Sequence, residues 1–180
     1  MSLEQHPASD SIGYLRQGAA LIRRLDDDLF TRAPDKRFRG GVGGQFRHCI
    51  DFYECLLQGL AQGDLVDYAA RTREHALETD RDYAAQCLDR LADRLAALDA
   101  DILDRPLNVR SEPRVPGVPE WCGSTLHREL QFLVSHTVHH YALIVALLGR
   151  LGHELEPRYA DFGVAPSTLA HWREAGPLAG

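Results

Sequence analysis

Two histidines, His136 and His140, lie four residues apart inside a long apolar segment in the C-terminal half of this 180-residue chain. An α-helix has about 3.6 residues per turn, so positions i and i+4 share one face. At about 100° per residue, this pair falls within the apolar stripe of its segment. Two unsatisfied imidazoles there would be costly, whereas a divalent ion such as zinc, nickel, copper or iron would satisfy both. The spacing therefore predicts a metal site.

A pair of ligands does not complete such a site, and the best third ligand is His48, at the edge of the core face of another apolar run. If the two helices pack side by side, all three imidazoles can meet. Three protein ligands leave a position open, which is typical of a catalytic metal site. Water in that position would become acidic enough to supply hydroxide near neutral pH, or the metal could activate a thiol. Water, His139 or Glu129 are the candidates for the fourth ligand.

Other interpretations of these residues remain open. His136 and His140 could be core histidines bonded to the backbone or to each other, and His48 alone would be an ordinary packed residue. No glutamate follows His136, so the base of the HExxH zinc proteases is missing. Glu129 could orient an imidazole or simply be an acid near a helix N-terminus. No residue is predicted as general acid or base, so the catalytic residues are unknown.

Apolar periodicity predicts four helices that would position these side chains, over residues 11–31, 45–62, 79–98 and 124 to 149 or 152. A glycine-rich stretch, 40–44, is expected to break the chain before the second helix. The segment 104–121 contains four prolines and is not helical throughout, with 107–109 as a short extended piece. We predict an all-α helical bundle, a single domain over residues 1–180, with long crossover connections and an irregular C-terminal tail.

Composition argues against several classes of partner. The net charge is −6, from 20 basic and 26 acidic residues, which disfavours nucleic acid and anionic membranes. The first ten residues lack an apolar signal core, and histidine, serine and glutamine interrupt the most apolar stretch, so we expect a cytoplasmic protein without a membrane span. The four cysteines form no CxxC pair and are expected to be reduced core thiols.

Three segments resemble the DinB-like (DinB/YfiT) superfamily. They are Gly-Gln-Phe-Arg-His at residues 44–48, Glu-Leu-Gln-Phe-Leu at 129–133 leading into Ser-His-Thr-Val-His-His-Tyr at 135–141, and the ending at 161–169. The ending is similar to an uncharacterised branch of that superfamily. The similarity extends from the first helix to residue 169 and is most specific in the fourth helix.

The resemblance implies an up-down-down-up four-helix bundle, often a homodimer. It also implies a divalent metal, commonly zinc or nickel, held by one histidine of helix two and an HxxxH pair of helix four. The matching residues here are His48, His136 and His140, which agrees with the spacing argument. Relatives include metal-dependent thiol transferases and isomerases that use mycothiol or bacillithiol, and some hydrolases. His127 departs from the family pattern, in which a small residue is usual.

Two functions follow as hypotheses. The first is a metal-dependent enzyme, a thiol transferase or hydrolase acting on a small molecule. The alternative is a non-catalytic, metal-stabilised dimeric protein for binding or stress response, motivated by the missing general base. A helical bundle whose histidines are merely packed is a weaker third interpretation.

Overall fold

The structure is a computed structural model that describes residues 6–99, 102–110, 116–117 and 120–175. Within those residues the chain is mostly helical, with a small sheet. The described helices are α1 (Ser9–Ile22), α2 (Asp27–Thr31), α3 (Gly41–Ala61), α4 (Ala76–Thr79), α5 (Arg81–Ala96), α6 (Leu126–Arg150) and α7 (Pro166–Ala175). The described strands are β1 (Leu65–Asp67), β2 (Pro106–Arg110) and β3 (Cys122–Thr125), and 3-10 turns lie at Tyr68–Ala70 and Pro157–Tyr159.

The first predicted helix is divided into α1 and α2. A new helix starts after Asp26, because the side chain of Asp26 accepts a hydrogen bond of 2.7 Å from the amide of Leu29 and so caps α2. The second predicted helix begins earlier than expected, at Gly41, so the glycine-rich stretch forms the first turn of α3 rather than a break before it. A Cβ at Gly43 would lie 2.5 Å from the carbonyl oxygen of Glu78. Glycine here therefore lets α4 approach α3 closely.

The last two long helices lie close to their predicted positions. Asp80 caps α5 by accepting a hydrogen bond of 2.9 Å from the amide of Tyr83. Thr79 ends α4, where its hydroxyl donates to the carbonyl of His75 at 3.1 Å. Thr125 caps α6.

The described residues are not all helical, because the connections between the long helices contain a three-stranded sheet. Strand β2 lies at its centre, parallel to β1 and antiparallel to β3. The predicted extended piece at 107–109 lies within β2. Strands this short show little alternation of apolar and polar residues. Strand β1 packs directly on α3, because a Cβ at Gly59 would lie 2.7 Å from a methyl of Val66. Packing on α3 therefore specifies the pairing of this sheet, of which the sequence indicated only the extended piece in β2.

Contacts between side chains show in which direction the long helices run relative to one another. Arg16 pairs with Asp93 at 3.6 Å, and Arg23 pairs with Asp89, so α1 and α5 run antiparallel. Tyr53 accepts a hydrogen bond of 3.4 Å from Thr137. Because Gln45, earlier on α3, contacts His140, later on α6, these two helices also run antiparallel. This pairing places the start of α3 beside the middle of α6.

The C-terminal segment packs on α6 and includes a helix, α7. Phe162 stacks on Tyr141 of α6 with ring centroids 4.3 Å apart, and α7 follows. A Cβ at Gly163 would lie 2.6 Å from the amide nitrogen of Ala142, so this glycine allows the backbone to lie against α6. The expected irregular tail is therefore partly helical and packs on the fold.

The helix α6 is long and apolar enough to cross a membrane by length and composition. Its buried face includes Leu133, Tyr141 and Ile144, which belong to the hydrophobic core. A core helix passes the same test of length and composition, and the packing of α6 against α1 and α3 accounts for its apolar face.

Candidate metal centre

Three histidines converge between α3 and α6. Among the described residues, His48, His136 and His140 form a group whose possible ligand atoms all lie within 4.8 Å of one another. Their ring centroids are 5.0 Å apart for His48 and His136, 4.4 Å for His48 and His140, and 4.6 Å for His136 and His140. The four-residue spacing places two rings on one face of α6, and the antiparallel α3 brings the third ring opposite. The residues are positioned to hold a metal ion.

One nitrogen of this group has no partner. The Nε2 atom of His136 is buried, and no group in the described part of the chain forms a hydrogen bond with it. Leaving a buried polar atom unsatisfied costs about 1–3 kcal/mol. A bound metal would remove this cost by accepting the lone pair of the nitrogen. This atom fits a metal ligand better than a packed core histidine.

A neighbouring amide sets the protonation of His140. The Oε1 atom of Gln45 lies 2.7 Å from Nδ1 of His140. An amide oxygen only accepts, so Nδ1 carries the proton and Nε2 keeps its lone pair for a metal. Sequence reasoning missed Gln45, although it lies three residues before His48 and therefore on nearly the same face of α3.

Burial keeps all three imidazoles neutral near pH 7. Loss of solvation is the main cause, and it lowers the pKa of His48 and of His136 to about 4 and that of His140 to about 3. The imidazole of His136 and nearby arginines, Arg71 among them, lower the pKa of His48 further. Neutral imidazole is the form that binds metals, so these shifts prepare the group for an ion.

Aromatic rings surround one side of the histidines. The ring of Phe52 lies 4.3 Å from that of His136 and 4.9 Å from that of His48. Phe132 lies 5.5 Å from His136, and Tyr68 stacks on Phe52 at 5.0 Å. Apolar walls lower the local dielectric and strengthen interactions between charges.

The two protein candidates for a fourth ligand lie outside this group of ligand atoms. His139 is exposed, with its ring 5.2 Å from that of His140. Glu129 is only 1 % exposed and accepts hydrogen bonds from Tyr68 at 3.0 Å, Ser124 at 2.6 Å and Arg128 at 2.9 Å. Glu129 is therefore an acid in the first turn of α6, as one of the two interpretations expected, and these hydrogen bonds do not involve an imidazole. It joins the turn after β1 and the strand β3 to α6.

The thiols lie apart from the histidine group. Cys49, Cys55 and Cys87 are buried free cysteines, as predicted, whereas Cys122 is exposed on β3. Burial raises the pKa of the Cys55 thiol to about 11, which leaves it protonated and unreactive at neutral pH. None of the four joins the group of ligand atoms formed by the described residues.

Comparison with known proteins identifies one family. A family model described as the DinB superfamily matches residues 16–144, which include all three histidines. No curated protein and no solved structure matches the chain. The family match therefore covers all of α3 and the part of α6 that ends at residue 144.

Proposed function

The chain belongs to the DinB superfamily, and on that premise we propose that it binds one divalent metal ion through His48, His136 and His140. The observation that carries the proposal is the buried Nε2 of His136, which lacks a hydrogen-bond partner among the described residues. A ligand set made only of imidazoles suits zinc or nickel. Gln45 would fix the ring of His140 by the hydrogen bond to its Nδ1.

We further propose that the site is catalytic and acts on a small molecule, as a thiol transferase or a hydrolase. When bound, the metal would supply Lewis acidity and lower the pKa of a coordinated water or thiol. The three neutral histidines add no negative charge, so they would leave the charge of the ion undiminished. The rings of Phe52 and Phe132 would limit access of bulk water to His136.

A second function, a non-catalytic metal-stabilised dimer for binding or stress response, is favoured by the surroundings of Glu129. This buried carboxylate is already held by three donors, so it is poorly placed to serve as a general base. Metal binding would then raise the stability of the fold without turnover.

The proposal extends to architecture and location. Ser11 lines a cavity with Val134 and Gly18 lies against Tyr141, so α1 runs parallel to α6. Together with the antiparallel pairs α1 with α5 and α3 with α6, this supports an up-down-down-up arrangement of the four long helices. We infer a cytoplasmic homodimer, and the net charge of −6 favours small-molecule ligands over nucleic acid or anionic lipid.

The proposed chemistry is tested with tag-free protein loaded with zinc or nickel. Conjugation of low-molecular-weight thiols to a chromogenic electrophile, and hydrolysis of an activated ester, are measured against the free ion. We expect metal-dependent turnover in the wild type and in His139→Ala, and its loss in His136→Ala. Stoichiometric metal and a raised melting temperature, with no turnover above that of the free ion, would support the non-catalytic function instead.

A further inference from the structure

Each phenyl ring beside His136 has a guanidinium against it. The guanidinium carbon of Arg71 lies 4.8 Å from the centroid of Phe52, and that of Arg128 lies 5.3 Å from the centroid of Phe132. Phe52 and Phe132 are the rings closest to the histidines, so both cations lie one ring away from the centre. An aromatic ring followed by a cation is a combination that recognises an apolar body with an anionic end.

The structure holds Arg71 in place. It is half-buried, and its Nη1 donates to the carbonyl oxygen of Tyr68 at 2.9 Å. The segment that follows is anchored by Asp51, which is 5 % exposed and accepts a hydrogen bond from the backbone amide of Arg73. Arg73 has φ +53°, a conformation that residues other than glycine rarely adopt without surrounding contacts. Arg71 is thus preorganised beside Phe52.

The charges around His48 favour an anion. Arg47 directly precedes His48 in α3, and Arg71 and Arg73 lie in the following loop, where Arg71 covers Phe52. Asp51 lies among them, and Glu78 pairs with Arg47 at 2.8 Å. Three arginines therefore lie near His48, although the whole chain has a net charge of −6. A local positive charge on an acidic protein attracts anionic ligands.

We propose that the small molecule bound at the histidine centre carries a carboxylate, which Arg71 binds, and an apolar body that packs against Phe52 and Phe132. A guanidinium presents a planar fork of N–H donors that matches the two oxygens of a carboxylate. Arg71 would then determine specificity without ligating the metal. This inference rests on the proposed metal-binding function and names the substrate class of that site.

The test uses cobalt-loaded full-length protein and two thiol probes of the same shape, 4-mercaptobenzoate and 4-mercaptobenzamide. Sulfur-to-cobalt charge-transfer absorption reports the binding of each probe. The wild type should bind the anionic probe roughly tenfold more tightly than the neutral one, and Arg71→Gln should reduce the ratio to about one. The control is Arg150→Gln. The guanidinium carbon of Arg150 lies 5.7 Å from the ring centroid of Phe38, so this variant also removes a guanidinium that covers an aromatic ring, and it should keep the wild-type ratio.

The outcomes separate this inference from the proposed function. Equal affinity for both probes in the wild type, or an unchanged preference in Arg71→Gln, would overturn the inference while the metal site stands. The ligand-field absorption of cobalt, recorded before any probe is added, tests the metal site itself. Cobalt that fails to bind, or that binds equally in His136→Ala, would overturn the proposed function and this inference with it. If Arg71→Gln no longer binds cobalt, Arg71→Lys is measured in its place. Lysine keeps the positive charge but lacks the planar fork of N–H donors. Its ratio of affinities for the two probes should therefore lie between the wild-type ratio and one, and an unchanged wild-type ratio would overturn the inference.

Discussion

Gln45 of α3 and His140 of α6 are joined by a hydrogen bond of 2.7 Å between the amide oxygen and the ring nitrogen Nδ1. This contact fixes the tautomer of His140 and holds together the two helices that supply the histidine group. It also means that a residue which does not ligate should influence metal affinity.

Replacing Gln45 with alanine should weaken metal binding about 10- to 100-fold, because His140 would lose the acceptor that orients its ring. Gln45→Glu keeps an acceptor oxygen and should retain most of the affinity. Competition with a chromogenic chelator measures both. The matched control is Gln131→Ala, which breaks a contact of 3.2 Å between a glutamine and His127 away from the group. Equal affinity in Gln45→Ala and Gln131→Ala would refute the orienting role.

Acid should reduce the stability of the metal-free protein. Unfolded imidazoles have a pKa near 6.5, whereas in the fold it is about 4 for His48 and His136 and about 3 for His140. Below pH about 6.5 the unfolded chain therefore binds more protons than the folded one. This contribution to stability is fully present above that pH and is lost as the pH falls through about 4. Thermal melting across this range measures it.

The same lowered pKa values predict that metal binding resists mild acid. Protons should compete for the three nitrogens only below about pH 5, rather than near the ordinary histidine pKa of about 6.5. Equilibrium dialysis between neutral pH and about pH 4 follows the loss of the ion. Release with a midpoint near 6.5 would show that the ligands are solvated imidazoles instead.

Glu129 should matter for folding more than for the metal. Glu129→Ala leaves Tyr68 and Ser124 without their acceptor and should destabilise the fold by about 3–5 kcal/mol. Tyr68→Phe removes one donor and should cost about 1 kcal/mol. Urea unfolding gives both values, and metal content is measured in parallel. Loss of the ion from folded Tyr68→Phe would argue that this buried network serves the metal centre directly.

Two glycine substitutions test the close packing that lets α3 begin early. Gly43→Ala should destabilise the protein by about 1–3 kcal/mol, because its Cβ would lie 2.5 Å from the backbone oxygen of Glu78. Gly13→Ala, in α1, meets nothing within 4 Å and should stabilise by about 0.5–1 kcal/mol. In urea unfolding, the two substitutions should change the free energy of unfolding in opposite directions. Stabilisation by both would mean that α4 does not approach α3 as described.

The sequence predicted the long helices and the histidine group because both depend on periodicity. His136 and His140 share a face by spacing alone, and the apolar run around His48 indicated a neighbouring helix. The sheet was missed because β1 and β3 are short and depend on packing, as at Gly59 and Val66. The sequence did not single out Arg71, since its position beside Phe52 arises only when the loop folds back on α3.

The measurement that tests the central claim most directly is elemental analysis of tag-free protein. The wild type and His139→Ala should each carry about one divalent ion per chain, because His139 is exposed and outside the ligand group. His48→Ala and His136→Ala should lose most of it, since each leaves only two of the three ligands. No ion after reconstitution with zinc or nickel, or equal content in His136→Ala and His139→Ala, would contradict a metal site at these histidines.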